Sequence, residues 1–133
     1  MQGKRILIVE DARLIHRIYE LMLSRFISQG GALFHAHTAR AAIEQVAALP
    51  ALDLILLDTT LPDMHGIELL RCIKGKGAAG GVPIVIVTTE GKDHQVKSGL
   101  EAGAYAYITK PFRPQQLVEL IHHILALRDD SPR

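Results

Sequence analysis

Cysteine is almost absent from this 133-residue chain: Cys72 is the only one. That excludes an internal disulfide framework and suits a reducing compartment. Long hydrophobic runs are missing as well. No apolar stretch approaches the roughly 20 residues that a membrane-spanning helix needs. The start, Met1 followed by Gln-Gly-Lys-Arg and about five apolar residues, does not fit a signal peptide. Neither sign of charge dominates, since 15 Lys and Arg face 14 Asp and Glu for a net +1. This balance decides neither for nor against a nucleic-acid surface, but no basic run offers one. Disorder is excluded by an apolar share of 48%. The expectation is one soluble, cytoplasmic domain over residues 1–128, with no membrane contact and no direct nucleic-acid binding, followed by a disordered tail or the start of a linker at 129–133.

Five short apolar runs alternate with five stretches of helical period: Ile6–Val9, Ala32–Ala36, Leu52–Leu57, Ile84–Val87 and Ala104–Ile108. Three are near-continuous Ile, Leu and Val, as expected of parallel strands covered on both faces. "ALFHAH" is more polar and suits an edge. Between the runs, Leu14, Ile18, Leu21 and Met22 form one helical stripe, and Thr38 can cap a helix carrying Ala42, Ile43 and Val46. Ile67, Leu70 and Ile73 form a third stripe. Val96 and Leu100 support a short fourth helix that Gly99 weakens. Pro114 fits the first turn of a last helix with Leu117, Ile121, Ile124 and Leu125 inward. The alternation predicts an α/β fold, a doubly wound parallel sheet with right-handed crossovers and helices on both faces. "GKGAAGG" at 75–81 precedes a strand, so it reads as a flexible connection; a phosphate loop follows a strand and opens a helix.

The polar residues fall where the strands end. Glu10 and Asp11 follow the first run, Asp58 the third, Thr88 and Thr89 the fourth, Thr109 and Lys110 the fifth. Ligands of open parallel sheets bind outside the carboxyl ends of the strands. Each residue has a plain structural reading: Asp11 as a helix cap, Asp58 as a turn residue before Pro62, Thr88 as an ordinary strand end, Lys110 as a solvated amine. Four strands delivering acids, a hydroxyl and an amine to one rim are harder to explain that way. Carboxylates about 5 Å apart repel by roughly 3 kcal/mol per pair at an effective dielectric near 20. One Lys offsets part of this, and a hard divalent cation that keeps several waters would relieve the rest; Mg²⁺ fits this better than an all-protein cage would. A metal, an ammonium and a hydroxyl also stabilise a transferring phosphoryl group, and Asp58 can serve as its nucleophile.

The motifs "ILIVED", "LILLDTTLPDMHG", "PIVIVTTE" and "GAYAYITKPF" closely resemble the receiver domain of two-component response regulators, the family of the chemotaxis response regulator, over about residues 4–127. The resemblance implies a flavodoxin-like five-stranded sheet of order 2-1-3-4-5. It makes Asp58 the phosphoacceptor, Asp11 a direct Mg²⁺ ligand, Glu10 a ligand acting through water, and the Thr60 backbone carbonyl the third protein ligand. Thr88 and Lys110 would contact the phosphoryl oxygens, and Tyr107 matches the aromatic that turns inward on activation. The implied partners are a sensor histidine kinase or histidine phosphotransfer protein, and an output protein or domain, or a second copy, on the face of the fourth predicted helix, fifth strand and last helix. Tyr105 and Leu120 lie on that face. Such a domain catalyses only its own phosphorylation and dephosphorylation. Four positions depart from the common pattern: Thr89 replaces Ala or Gly, His65 replaces Asp or Asn before Gly66, and Gln116 with Leu120 replaces the acid–base pair of one transcription-factor dimer.

Other readings fit less well. A flavodoxin-type flavin carrier needs a Ser/Thr-rich phosphate turn where Glu10 and Asp11 stand. A haloacid-dehalogenase-type phosphatase needs an acid where Thr60 stands. A pseudo-receiver would have lost an acid or the Lys. Among seven histidines, the pairs His35/His37 and His122/His123 have no evident third zinc ligand; His16, one turn into the first helix, could approach the rim, but such a histidine is more often solvated.

Overall fold

The computed structural model describes residues 3–49, 51–75 and 81–129. Most of the 75–81 connection and residues 130–133 of the tail lie outside them. The described residues form strands β1 (Arg5–Val9), β2 (Ala32–Ala36), β3 (Leu54–Leu57), β4 (Ile84–Thr88) and β5 (Ala106–Thr109). The helices are α1 (Arg13–Met22), α2 (Ser24–Ser28), α3 (Ala39–Ala48), α4 (Gly66–Gly75), α5 (Asp93–Glu101) and α6 (Pro114–Asp129). All strand pairs are parallel, in the order β2-β1-β3-β4-β5, with β2 and β5 at the edges. This is the predicted doubly wound sheet. No described helix is long and apolar enough to cross a membrane.

The central strands are apolar throughout because both faces are covered. Successive side chains point to opposite faces. Leu7, Val9, Ile55, Leu57, Ile84 and Ile86 therefore join one core with residues of α3 and α4. Ile6, Ile8, Leu54, Leu56, Val85 and Val87 join a second core with Tyr19, Leu23 and Phe26 and with Leu117 and Ile121 of α6. The Thr38 hydroxyl accepts the Ala41 N–H at 3.0 Å and caps α3, as its sequence position predicts.

Two helix predictions need correction. Leu14, Ile18 and Leu21 are exposed, and the buried face of the first helical region carries His16, Tyr19, Leu23 and Phe26 instead. That set, at spacings of three, four and three, is equally helical. The helix also breaks at Leu23, where φ −102° and ψ 20° depart from helical values, giving α1 and α2 in place of one helix. The fourth and fifth helices of the sequence are therefore α5 and α6. In α5, Leu100 is exposed and Gly99 is buried. A Cβ at Gly99 would stand 2.8 Å from the Tyr107 ring and 2.9 Å from Ile86, so this glycine lets α5 approach β4 and β5 closely.

Candidate functional site

The strand order reverses between β1 and β3, and the carboxyl ends of those two strands carry Glu10 and Asp58. Such a switch point opens the crevice in which α/β sheets bind ligands. The Asp58 N–H continues the sheet by donating to the Val9 carbonyl at 3.0 Å, which fixes the acid to the end of β1. Its Oδ1 accepts the Thr60 N–H at 3.1 Å. Its Oδ2 lies 3.2 Å from Lys110 Nζ, and the same ammonium reaches Glu10 Oε1 at 2.7 Å. Lys110 is brought in by its own N–H, which donates to the Thr88 carbonyl at 2.7 Å; the Lys110–Pro111 bond that follows is cis.

The two acids are not equivalent. Burial raises the Glu10 carboxyl above its ordinary value; Lys110 and the Ala12 N–H offset part of this, while Asp58 adds to it. Burial also acts to raise Asp58, but the Thr60 N–H, the contact with Glu10 and the Lys110 charge outweigh it and hold this carboxyl below its ordinary value. The two carboxyls are thus pushed in opposite directions, Glu10 up and Asp58 down, with Lys110 bonded to both. Burial acts to lower Lys110, yet Glu10 and Asp58 hold its ammonium above the ordinary value.

Asp11 sits differently. It is exposed, and it does not cap α1: the N-cap is Ala12, with no side-chain cap bond. Among the described residues no three His, Cys, Asp or Glu side chains converge into a ready-made metal cage. What the rim offers is a buried carboxyl pair compensated by a single ammonium, an exposed acid beside it, and the exposed Thr60. That donor set fits a hard cation that retains water ligands.

The loop after β3 folds back tightly. Gly66 donates its N–H to the Thr59 carbonyl at 2.8 Å, and Thr60 bridges His65. Asp63 accepts the N–H groups of Ala39 and Arg40 at 2.8 and 2.9 Å, which ties the loop to the start of α3. A Cβ at Gly66 would lie 2.5 Å from both the Asp58 carbonyl oxygen and the Thr59 Cα. These are backbone atoms and cannot swing aside. Gly66→Ala is expected to cost about 3 kcal/mol in a urea melt and to displace Asp58; an unchanged midpoint would contradict the close approach.

Thr88, fully buried, bonds the Thr59 hydroxyl at 2.6 Å and accepts the Glu90 N–H at 3.3 Å. Tyr107 lies half-buried between β5 and α5 and donates its hydroxyl to the Glu90 carbonyl. His65 joins the two loops above the rim: its Nδ1 accepts the Ile67 N–H at 3.2 Å and its Nε2 lies 2.9 Å from Glu90 Oε1. Thr89 is exposed. His16 is buried rather than solvated. Its Nε2 donates to the Glu10 carbonyl at 2.6 Å, and its Nδ1 lies 2.7 Å from His35 Nδ1.

The family model for the response regulator receiver domain matches residues 6–122. The chain belongs to this family. Curated relatives include the chemotaxis protein CheY1 of Helicobacter pylori, 30% identical over 94% of this chain and 99% of that protein. The phosphate regulon transcriptional regulatory protein PhoB of Pseudomonas aeruginosa is 38% identical over 94% of this chain but only 53% of its own length. The chain thus spans about half of that relative. Among solved structures, a CheY-like response regulator receiver domain protein from Methanospirillum hungatei superposes with a TM-score of 0.84 at 32% identity, covering 97% of this chain and 98% of that one. As a receiver domain, the protein is a phosphorylation-switch module of two-component signalling rather than an enzyme that turns over a free substrate.

Proposed function

We propose that this receiver domain accepts a phosphoryl group on Asp58 and passes the change to the face of α5, β5 and α6. The observation that carries this reading is the ionised Asp58 held 3.2 Å from Lys110 at the switch point of the sheet. A carboxylate oxygen of Asp58 attacks the phosphorus of a phosphohistidine on a sensor histidine kinase or histidine phosphotransfer protein. The P–N bond breaks as the P–O bond forms, and the imidazole leaves with a proton. Lys110 and Thr88 take up charge on the phosphoryl oxygens. Glu10, Asp11, Asp58 and the Thr60 carbonyl would hold Mg²⁺, which supplies charge neutralisation for the transfer. The same groups serve hydrolysis of the acyl phosphate; uptake and hydrolysis of its own phosphoryl group are the only chemistry the domain catalyses. A soluble cytoplasmic setting suits such a donor.

The new charge, about −1.5 to −2, lies beside Thr88 and Lys110. Thr88 moves toward it, and Tyr107, on the same face of the sheet as Thr88, answers the space that opens. Tyr105, 49% exposed, and the half-buried Leu120 supply apolar contact for an output protein or domain, or a second copy.

Acetyl phosphate with Mg²⁺ is expected to add one hydroxylamine-labile phosphoryl group; the absence of any labelling would overturn the reading. The metal is tested separately. Mg²⁺ should raise the melting temperature by mass action, and Asp11→Ala should shift that titration at least about tenfold toward higher Mg²⁺. The same titration in wild type and variant would move the metal elsewhere.

A further inference from the structure

Thr59 follows the phosphoacceptor directly in sequence and is fully buried, so its hydroxyl requires a partner inside the protein. That partner is the Thr88 hydroxyl, 2.6 Å away. The alternation of the strands explains the meeting. Ile55, Leu57, Ile84 and Ile86 face one core, and Thr59 and Thr88 continue those two rows on the same side of the sheet. Asp58 continues the other row, Leu54 and Leu56, and its oxygens are engaged by Thr60 and Lys110. Thr88 is thus turned toward Thr59 while the phosphoryl group would form on the neighbouring residue. Thr88 keeps a second bond, from the Glu90 N–H at 3.3 Å, when it leaves Thr59. Thr59 has no such reserve: in the described residues its side chain is bonded to Thr88 alone.

We infer that Thr59 is a positioning residue that holds Thr88 in the unphosphorylated arrangement and opposes the switch by the hydroxyl it would leave buried and unpaired. This rests on the reading of Asp58 as phosphoacceptor. A hydroxyl stranded in the core is costly, and removing one member of the pair in advance removes that cost. With Val at position 59, the Thr88 hydroxyl would wait for an acceptor and find one only at the modified Asp58.

The test uses beryllofluoride, which mimics the phosphoryl group on an aspartate, titrated at saturating Mg²⁺ and followed by the NMR signals of Thr88 and Tyr107. Thr59→Val is expected to tighten the apparent affinity roughly five- to tenfold. Thr59→Ser, which keeps the hydroxyl, should titrate like wild type, and in a Thr88→Val background the effect of Thr59→Val should vanish. A role in packing alone predicts the reverse ranking, with Ser the more disturbed of the two. If wild type responds and Thr59→Val binds equally or more weakly, the role of Thr59 is wrong. If wild type itself does not respond, the reading of Asp58 fails and this inference fails with it. A thermal melt of each variant distinguishes a changed switch from a damaged fold.

Discussion

Asp58→Asn is expected to reduce phosphoryl uptake from acetyl phosphate to background, while the fold survives. The amide has no charge to offer phosphorus and cannot form an acyl phosphate. Its oxygen can still accept the Thr60 N–H, now at 3.1 Å, and Lys110 keeps its 2.7 Å bond to Glu10. The substitution also removes one of the influences that raise Glu10. Stability should therefore change by no more than about 1 kcal/mol. Labelling with radioactive phosphate and a urea melt on the same preparation check both halves. Uptake at the wild-type rate would transfer the phosphoacceptor role to another residue, and a collapsed melt would leave misfolding as the cause of any loss.

The strands and the rim were legible because a parallel sheet covered on both faces writes uninterrupted apolar runs, and polar residues can enter only where the runs stop. Glu10, Asp58, Thr88 and Lys110 stood out for that reason, and the structure brings Glu10, Asp58 and Lys110 into direct contact. The first helix was misread because two stripes of helical period compete in it. The stripe of Leu14, Ile18 and Leu21 is more apolar, yet the buried one includes His16 and Tyr19, whose polar atoms disguise it. His16 can be buried because the Glu10 carbonyl and His35 satisfy its ring, and both partners lie outside the helix. Gly99 looked like a weak point in α5, but the closeness of Tyr107 that makes it necessary is a tertiary fact. Asp53 shows the limit of reading acids as function. It is as buried as any acid at the rim, but it lies at the opposite end of β3. There it accepts the Arg5 N–H at 2.9 Å and pairs with Lys4 and Arg128. Nothing adjacent in sequence announces Arg128.

Lys110→Met should separate the charge of this residue from its stem. Methionine keeps the length and the apolar contacts but leaves Glu10 and Asp58 facing each other with no ammonium between them. Removing one member of a largely buried ion pair costs several kcal/mol, and access of water to this rim reduces that to on the order of 2 kcal/mol at pH 7. The loss has a direction in pH. The folded-state pKa of Glu10 already lies above its ordinary 4.5, and without Lys110 it rises further. An acid raised in the folded state binds more protons there than in the unfolded chain, so stability falls as pH rises from about 4.5 through the folded value. In wild type, Lys110 counters this; its own raised pKa places its contribution below about 10.5, present throughout the neutral range. The variant should thus lie nearer to wild type at pH 4.5 than at neutral pH, in urea melts with a chelator present; the difference left at pH 4.5 comes from Asp58, which Lys110 also holds below its ordinary value. Mg²⁺ should restore part of the neutral loss by supplying positive charge to the same carboxylates, although phosphoryl-dependent switching should stay impaired because the oxygens of the phosphoryl group have lost an ammonium partner. An equal loss at pH 4.5 and pH 7 would show that the stem, and not the charge, accounts for the effect.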